Sequence, residues 1–263
     1  MLENHLRYAW RTLTRHRTTT LINILGLSLG LCACIAIFTI THYEFSFDDF
    51  HPDKARIYRL GGRVLENFNS NQFAGVFYTE DIPPPAPDRI RADIPGIETV
   101  APYYLFDNAT IIATNDYFHI FRYDWVAGDP ATALTGPNAI VLTESQALKR
   151  FGRQTPDAWL GKTLTIDDSL HLRVTGILKD WTGNTDFPQT QFISFPTISH
   201  SFLNNQYFPD NWQASRDNPW IRALIKIKPR SDPKQTEKQV AAILPRYHPV
   251  DTVQIHVELV LQP

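Results

Sequence analysis

The sequence predicts an α+β protein in which one N-terminal transmembrane helix is followed by a periplasmic domain of two subdomains. Three observations support this class. Residues 18–43 contain no Asp, Glu, Lys or Arg, which is typical of a membrane span. Beyond residue 43, segments with the two-residue period of strands are interleaved with helical patterns. Nineteen prolines against 12 glycines argue against a mostly helical bundle, because proline breaks helix interiors.

Composition narrows the possible functions. The chain has 263 residues, which is enough for one or two domains. Its 25 basic and 27 acidic residues give a formal net charge of −2, so the basic excess typical of nucleic-acid-binding proteins is missing. Two cysteines are too few for a disulfide framework or a four-thiolate zinc site.

The membrane helix is predicted at residues 21–41. The apolar run from Leu21 to Ile40 has twenty residues, and a helix of that length spans about 30 Å, the hydrocarbon thickness of a bilayer. A cleavable signal peptide is the first alternative, although its apolar region is normally only about 7–15 residues long. A lipoprotein signal with Cys34 as the lipidated residue is the second, although the apolar run continues beyond Cys34.

Charge predicts the orientation of the helix. Residues 1–20 carry a net charge of +3 and residues 43–263 carry −5, and basic residues stay on the cytoplasmic side. We therefore expect a cytoplasmic N-terminus, a span in a bacterial inner membrane, and residues 42–263 in the periplasm. Residues 1–20 also form an amphipathic pattern that could lie on the inner leaflet. Its apolar members are Leu2, Leu6, Ala9, Trp10 and Leu13.

One face of the predicted membrane helix carries small residues. Asn23, Gly26, Gly30 and Ala33, with Cys34 beside them, recur at three- and four-residue steps. Small residues let helix backbones approach closely in lipid. The pattern predicts that this face packs on another membrane helix.

The elements after the membrane helix follow in order. Tyr43 to Asp53 predicts a short helical stalk that ends near Pro52, which cannot continue a helix. Thr143 is the predicted N-cap and Gly152 the predicted end of a helix that reaches Phe151. Predicted strands are Arg56–Leu65, Ile97–Phe106, Thr110–Thr114, Leu164–Ile166, Leu170–Leu178, Ile221–Lys228 and Thr252–Val260, and further predicted helices are Pro87–Ile94 and Asp232–Leu244.

No sequence motif indicates catalysis, a cofactor or a metal. Gly161-Lys162-Thr163 looks like the end of a P-loop, but the required earlier glycine is Pro156 and the following residues predict a strand. The nine histidines form no H-E-x-x-H pattern. We therefore predict a protein that is not an enzyme and has no cofactor.

Two further patterns have ordinary structural explanations. The acidic pairs Asp48-Asp49 and Asp167-Asp168 are interpreted as a solvated stalk and a hairpin turn, because adjacent side chains diverge. Aromatic residues are dense from Phe195 to Trp220. They favour core and loop packing, with a ligand-binding surface as the alternative.

Three segments together resemble a known family. They are RTLTRHRTTTLINILGLSLGL from Arg11, YEFSFDDFHPDKARIYRL from Tyr43, and GDPATALTGPNAIVLTESQALKRFG from Gly128, which GKTLTIDDSLHLRVTGILKD follows from Gly161. In this order they resemble the MacB-type permeases of the FtsX superfamily, the membrane subunits of certain bacterial ABC systems. The shared signatures are the basic leader before N-x-x-G-L-x-x-G, the D-x-F-H and R-I-Y-R segment, G-D-P, and V-T-G.

The resemblance implies a role in transport or envelope work. Such permeases have a periplasmic core with a porter-like part, here residues 42–110 and 181–263, and a strand-rich insertion, here residues 111–180. A cytoplasmic ABC ATPase drives a homodimer or pseudo-dimer, and the motion passes through a stalk to the core for export or lipoprotein extraction. The expected stalk residues are Glu44, Phe47, Asp48 and Phe50.

The sequence departs from this family at its end. The chain stops at Pro263, where such permeases continue into further membrane helices, so we expect a fragment or a truncated gene that does not transport alone. A single-pass anchored module that binds a ligand or partner is the alternative from another class. An anchored periplasmic hydrolase is weaker, because its motifs are missing.

Overall fold

The structure is a computed structural model that describes residues 5, 10–11, 14–48, 51, 53–66, 75–167, 169–201, 203, 221–247 and 255–262. The chain forms two compact units. Unit 1 comprises Met1–Asp49 with Gly183–Asp186, and unit 2 comprises Phe50–Thr182 with Phe187–Pro263. The chain therefore passes from unit 1 into unit 2, returns for four residues, and enters unit 2 again.

Unit 1 is built on helix α1, which runs over Arg17–Glu44. Ser28 and Thr39 donate their hydroxyls to the carbonyls four residues earlier, at 2.7 and 2.8 Å. These polar side chains are thus satisfied inside their own helix. Within the described residues, α1 is the one helix long and apolar enough to cross a membrane. It contains the predicted span at 21–41 and extends it at both ends.

The predicted stalk is not helical up to Pro52. Helix α1 ends at Glu44, and hydrogen-bonded turns follow over residues 45–48. The Ser46 hydroxyl donates to the Tyr43 carbonyl at 2.6 Å, and Asp48 has a left-handed φ of 56°. A left-handed residue stops a right-handed helix. Phe50 and Pro52 lie outside the described residues, as do Leu2, Leu6, Ala9 and Leu13 of the leader.

The described part of unit 2 is organised around one sheet of eleven strands. The strands are β1 Ile57–Glu66, β2 Gly75–Thr79, β3 Ile97–Leu105, β4 Thr110–Ala113, β5 Trp125–Gly128, β6 Ala139–Thr143, β7 Thr163–Ile166, β8 Leu170–Leu178, β9 Gln191–Ser194, β10 Arg222–Ile227 and β11 Ile255–Gln262. The order is β11-β1-β10-β3-β4-β9-β6-β8-β5, with β2 beside β1 and β7 beside β8. The pairs β4–β9 and β6–β8 are parallel, and the other pairs are antiparallel.

Six short helices accompany this sheet in the described part of unit 2. They are α2 Ala86–Asp93, α3 Asp116–Ile120, α4 Glu144–Phe151, α5 Pro156–Trp159, α6 Pro233–Ala241 and α7 Ile243–Tyr247. Two 3₁₀ turns add Lys54–Arg56 and Phe195–His200. All predicted strands and helices of the domain are found, with shifts of a few residues at the ends. The predicted helix Asp232–Leu244 is divided between α6 and α7.

Three buried clusters form the core of unit 2. The first packs α2 and α6 against β1, β3 and β10. The second is aromatic and surrounds α3, and the third lies around β6, β8 and α4. Strand β10 is buried on both faces, since Leu224 and Lys226 are as inaccessible as Ala223, Ile225 and Ile227. The predicted porter-like and insertion boundaries remain a prediction.

Candidate functional site

A polar clamp lies just beyond the C-terminal end of α1, within unit 1. We define it as Ser46, Asp48, Asn184, Thr185 and Asp186. The Asp48 amide donates to the Asn184 carbonyl at 3.0 Å, and the Asn184 amide side chain donates to the Ser46 hydroxyl at 2.8 Å. The Asp48 carboxylate accepts from the Thr185 hydroxyl at 2.5 Å and from the Asp186 amide at 3.4 Å.

The chemistry of Asp48 explains why the chain turns here. Aspartate tolerates the left-handed region better than most residues, because its short polar side chain bonds nearby backbone groups. In this position one carboxylate oxygen faces Thr185 and the other faces the Asp186 amide. The clamp therefore ties the end of α1 to a segment that lies 137 residues later.

The four predicted stalk residues lie in different structural environments. Glu44 is the last residue of α1. The Phe47 ring packs edge-on against Tyr43, with ring centroids 5.3 Å apart. Asp48 belongs to the clamp, and Phe50 lies outside the described residues. Their assignment as a force-transmitting stalk remains a prediction.

An aromatic cluster holds the neighbouring chain segments inside unit 2. His51 and Phe187 both pack on Phe121 at 4.6 Å between ring centroids, and Trp181 packs on Tyr123 at 5.3 Å. Phe121 is fully buried. His51, Trp181 and Phe187 stand where the chain enters or leaves unit 2, so each of these passages is fixed by an aromatic side chain.

A charged cluster anchors the start of unit 2 to its sheet. The Asp53 carboxylate accepts from Lys226 at 2.6 Å and from Arg56 at 2.7 Å, and Arg122 lies 3.2 Å away. Lys226 is only 1 % exposed and also faces Glu98 at 3.4 Å. Arg56 in addition donates to the Ile227 carbonyl and to Glu98. The 3₁₀ turn at Lys54–Arg56 is thereby fastened to β3 and β10.

This cluster shifts the ionisation of its carboxylates. Hydrogen bonds from Lys226 and then Arg56 lower the pKa of Asp53 from 3.8 to about 2. Burial alone would raise the pKa of Glu98, but the Arg56 hydrogen bond and the Lys226 charge lower it overall. Both carboxylates are therefore charged at neutral pH, as a buried ammonium requires.

The predicted helix-packing face is open in the described chain. Asn23, Gly26, Gly30 and Ala33 all lie on exposed positions of α1. A Cβ atom added at Gly26 or Gly30 would meet nothing within 4 Å. These glycines thus leave a shallow strip free for another helix backbone, and packing against one remains a prediction.

Two of the motifs shared with the permease family, G-D-P and V-T-G, contact each other through their backbones. Gly128 of G-D-P pairs with Gly176 of V-T-G across β5 and β8. Gly128 has φ +90°, and a Cβ atom there would lie 2.5 Å from the Thr175 carbonyl oxygen. The Thr175 hydroxyl donates to the Ala133 carbonyl at 2.7 Å. These motifs therefore specify folding contacts.

The other residues singled out in the sequence lie in turns or outside the described residues. Gly161 has a left-handed φ of 78° and Thr163 opens β7, so the strand predicted after Gly161-Lys162-Thr163 is confirmed. Asp167 occupies the left-handed position of the β7–β8 hairpin, and Asp168 lies outside the described residues, as do Tyr207, Phe208, Trp212 and Trp220. Among the described residues, no group of three or more His, Cys, Asp and Glu could hold a metal ion.

Sequence reasoning missed the partners of the stalk. The segment Gly183–Asp186 is a short polar loop with no periodicity, so nothing local marks it as a contact of α1. The charged cluster was missed because the alternation of Ala223, Ile225 and Ile227 in β10 gives no sign that the intervening Lys226 is buried. The R-I-Y-R motif was a usable signal, since Arg56 is its first residue.

The chain thus combines a helix long and apolar enough to cross a membrane with a mixed, sheet-rich domain. The sequence model of the MacB-like periplasmic core domain matches residues 20–243, and the chain belongs to this family. This domain is found in permeases of ABC-type transporters, which work with ABC ATPase partners. The predicted family resemblance is confirmed.

Solved structures are similar in fold. A domain of a protein described as a permease from Porphyromonas gingivalis has 16% identity and a TM-score of 0.62, covering 82% of this chain and 92% of that one. The periplasmic region of MacB from Actinobacillus actinomycetemcomitans has 14% identity and a TM-score of 0.46, covering 75% and 87%. The extracellular domain of the noncanonic ABC-type transporter YknZ from Gram-positive bacteria has 16% identity and a TM-score of 0.45, covering 77% and 100%. No curated protein sequence matches significantly.

Proposed function

We propose that this chain supplies the first membrane helix and the periplasmic core of a bacterial ABC permease, and that the core relays motion driven by a cytoplasmic ATPase. The observation that carries the proposal is the family match over residues 20–243, which includes both α1 and most of unit 2. The chain acts as a mechanical part and catalyses no reaction itself. Its role is to move the periplasmic domain, either for export or for work on the cell envelope.

The polar clamp is the proposed point at which motion leaves the membrane helix. A hydrogen bond to a charged group contributes about 1.5–3 kcal/mol and a neutral one about 0.5–1.5 kcal/mol. The Asp48 and Ser46 bonds to residues 184–186 therefore resist separation of the helix end from that loop. A displacement of α1 reaches unit 2 through the covalent chain on both sides of Gly183–Asp186.

The open small-residue face is the proposed contact of the membrane part. Asn23, Gly26, Gly30 and Ala33 would pack on a membrane helix of a second copy or of the other half of a pseudo-dimer. The +3 leader and the −5 remainder support a cytoplasmic N-terminus and a periplasmic unit 2. In this orientation the ATPase meets the permease on the leader's side of the membrane.

A pair of matched substitutions tests the relay. Asp48→Ala and Asp167→Ala both place alanine at a left-handed φ, near 56° and 49°, so their backbone strain is similar. Only Asp48→Ala removes the clamp bonds to Thr185 and Asp186. Each variant is assembled with its ATP-binding subunit in nanodiscs, and hydrogen–deuterium exchange of unit 2 is compared with and without ATP.

The expected result separates hydrolysis from motion. The unchanged protein and Asp167→Ala should show an ATP-dependent change in exchange, while Asp48→Ala should hydrolyse ATP and show little change. An unaltered response in Asp48→Ala would refute the clamp as the relay. If ATP has no effect on the unchanged protein, the relay function itself is wrong.

A further inference from the structure

An exposed aromatic pair lies at the C-terminal end of α1, where Tyr43 is the last residue of the charge-free stretch and Phe45 follows Glu44. Tyr43 is 53 % exposed and Phe45 is 77 % exposed, the highest value of any large apolar side chain among the described residues. The three residues that follow, Ser46, Phe47 and Asp48, are half-buried. Phe45 is therefore exposed at the start of a turn whose following residues are half-buried.

The length of α1 places this pair at a particular depth. If the apolar run Leu21–Ile40 is centred in the bilayer, Tyr43 lies about 19 Å from the midplane at about 1.5 Å per residue. The hydrocarbon boundary lies at about 15 Å, and the headgroup layer adds roughly 5–8 Å. Tyr43 and the adjoining Phe45 therefore fall within the headgroup layer and outside the hydrocarbon.

We infer that Tyr43 and Phe45 bind the outer headgroup layer of the membrane and set the height at which the polar clamp is held. The inference rests on the proposed topology, in which this end of α1 faces the periplasm. Amphipathic aromatic rings favour the membrane–water interface. The partner is lipid, because Tyr43 ends the charge-free stretch of residues 18–43 and the depth of the pair places both rings, with Glu44 between them, among the headgroups.

The polar clamp links the aromatic pair to a distant part of the chain. Ser46 and Asp48 follow Phe45 within three residues and hold Asn184, Thr185 and Asp186. The loop Gly183–Asp186, far from α1 in sequence, is thereby kept at the membrane surface. The chain on either side of this loop then connects unit 2 to the headgroup layer, in addition to the connection that follows Asp49.

Spin labels test the depth of Phe45. In a C32A/C34A background, Phe45→Cys and the control Leu148→Cys on α4, which is 45 % exposed, are labelled and reconstituted into phosphatidylethanolamine–phosphatidylglycerol vesicles. Collisions with oxygen, which enriches in lipid, are compared with collisions with a water-soluble nickel chelate. We expect the oxygen-to-nickel ratio to be several-fold higher at position 45 than at position 148.

Two outcomes would overturn the inference. An equal ratio at both positions would mean that Phe45 lies in water, and shielding of position 45 from both reagents would mean that protein covers it. A membrane-impermeant thiol reagent added to spheroplasts separates these results from the topology. If that reagent does not reach Leu148→Cys from outside, the proposed orientation fails and the inference fails with it.

A second variant tests whether the pair sets the height of α1. Phe45→Ser is combined with a label at Ile35→Cys, which lies on the face of α1 opposite Gly26 and Gly30. Loss of the anchor should change the depth of the Ile35 label relative to the parent with Phe45. An unchanged depth would show that Phe45 does not fix the helix.

Discussion

Replacing Asp53 with asparagine should destabilise unit 2 at neutral pH and have almost no effect near pH 2. The change keeps the size of the side chain and removes the negative charge that faces Lys226 and Arg56 at 2.6 and 2.7 Å. Lys226, which is almost fully buried, would retain Glu98 at 3.4 Å as its remaining carboxylate. A buried ammonium with a weakened partner is costly.

The pKa of Asp53 gives the size and the pH range of the effect. A fall from 3.8 to about 2 corresponds to about 2.5 kcal/mol of stability at pH 7, since each unit is worth about 1.4 kcal/mol. Because the pKa is lowered in the folded state, this stability is present above the unfolded value and is lost as pH falls through the folded value. About 1.3 kcal/mol should remain at pH 3, and only about 0.4 kcal/mol at pH 2. The Asp53 side chain is 21% exposed, so solvent screening makes these upper values.

Denaturation of the full chain in detergent measures the prediction. Near-ultraviolet circular dichroism during urea unfolding should show Asp53→Asn less stable at pH 7 and equal to the unchanged protein near pH 2. The control is Asp88→Asn, whose carboxylate is 80% exposed and pairs with Arg91, so we expect less than about 0.5 kcal/mol. Equal stability of Asp53→Asn and the unchanged protein at pH 7 would refute the reasoning.

Three further predictions concern packing and domain limits. Gly128→Ala should destabilise unit 2 by about 2 kcal/mol or more in urea unfolding, because its φ is left-handed and its Cβ atom meets backbone, while Gly136→Ala, with nothing within 4 Å, should change stability little. Phe121→Ala should cost about 3–5 kcal/mol by the same assay, against less than about 1 kcal/mol for the exposed Leu148→Ala. Residues 43–263 expressed without the preceding helix should be soluble with a cooperative thermal transition, and a molten product would contradict that domain limit.

Elements with a strong local pattern were predictable from the sequence, whereas of the short, fully buried strands β4, β6 and β9 one was predicted, β4. The alternation in β1 and the cap residues Thr143 and Gly152 of α4 gave accurate bounds. Strands β6 and β9 were missed because every residue in each is buried, so they show no alternation. Strand β5 has only four residues, too few to display a period.

The candidate site was less predictable because its contacts are distant in sequence. Asp48 was noted as one of two adjacent acids and interpreted as a solvated stalk, yet its partners come from residues 184–186. Lys226 alternates with apolar residues, a pattern that is typical of a sheet with one face in water. A strand in the middle of a sheet covered on both sides departs from this arrangement.

The position of β1 has a consequence for how the protein is made. Arg59 and Leu60 pair with β10 on one side and with β11 on the other, so both neighbours come from the last part of the chain. About 170 residues separate the paired ends of β1 and β10, and at about 5–20 residues per second their synthesis takes roughly 10–30 s. During that interval β1 can pair with β2 over Gly62–Glu66, but residues 57–60 lack β10 and the opposite edge lacks β11. Unpaired strand edges are prone to aggregate. Slow translation of the final strands should therefore reduce the yield of folded protein.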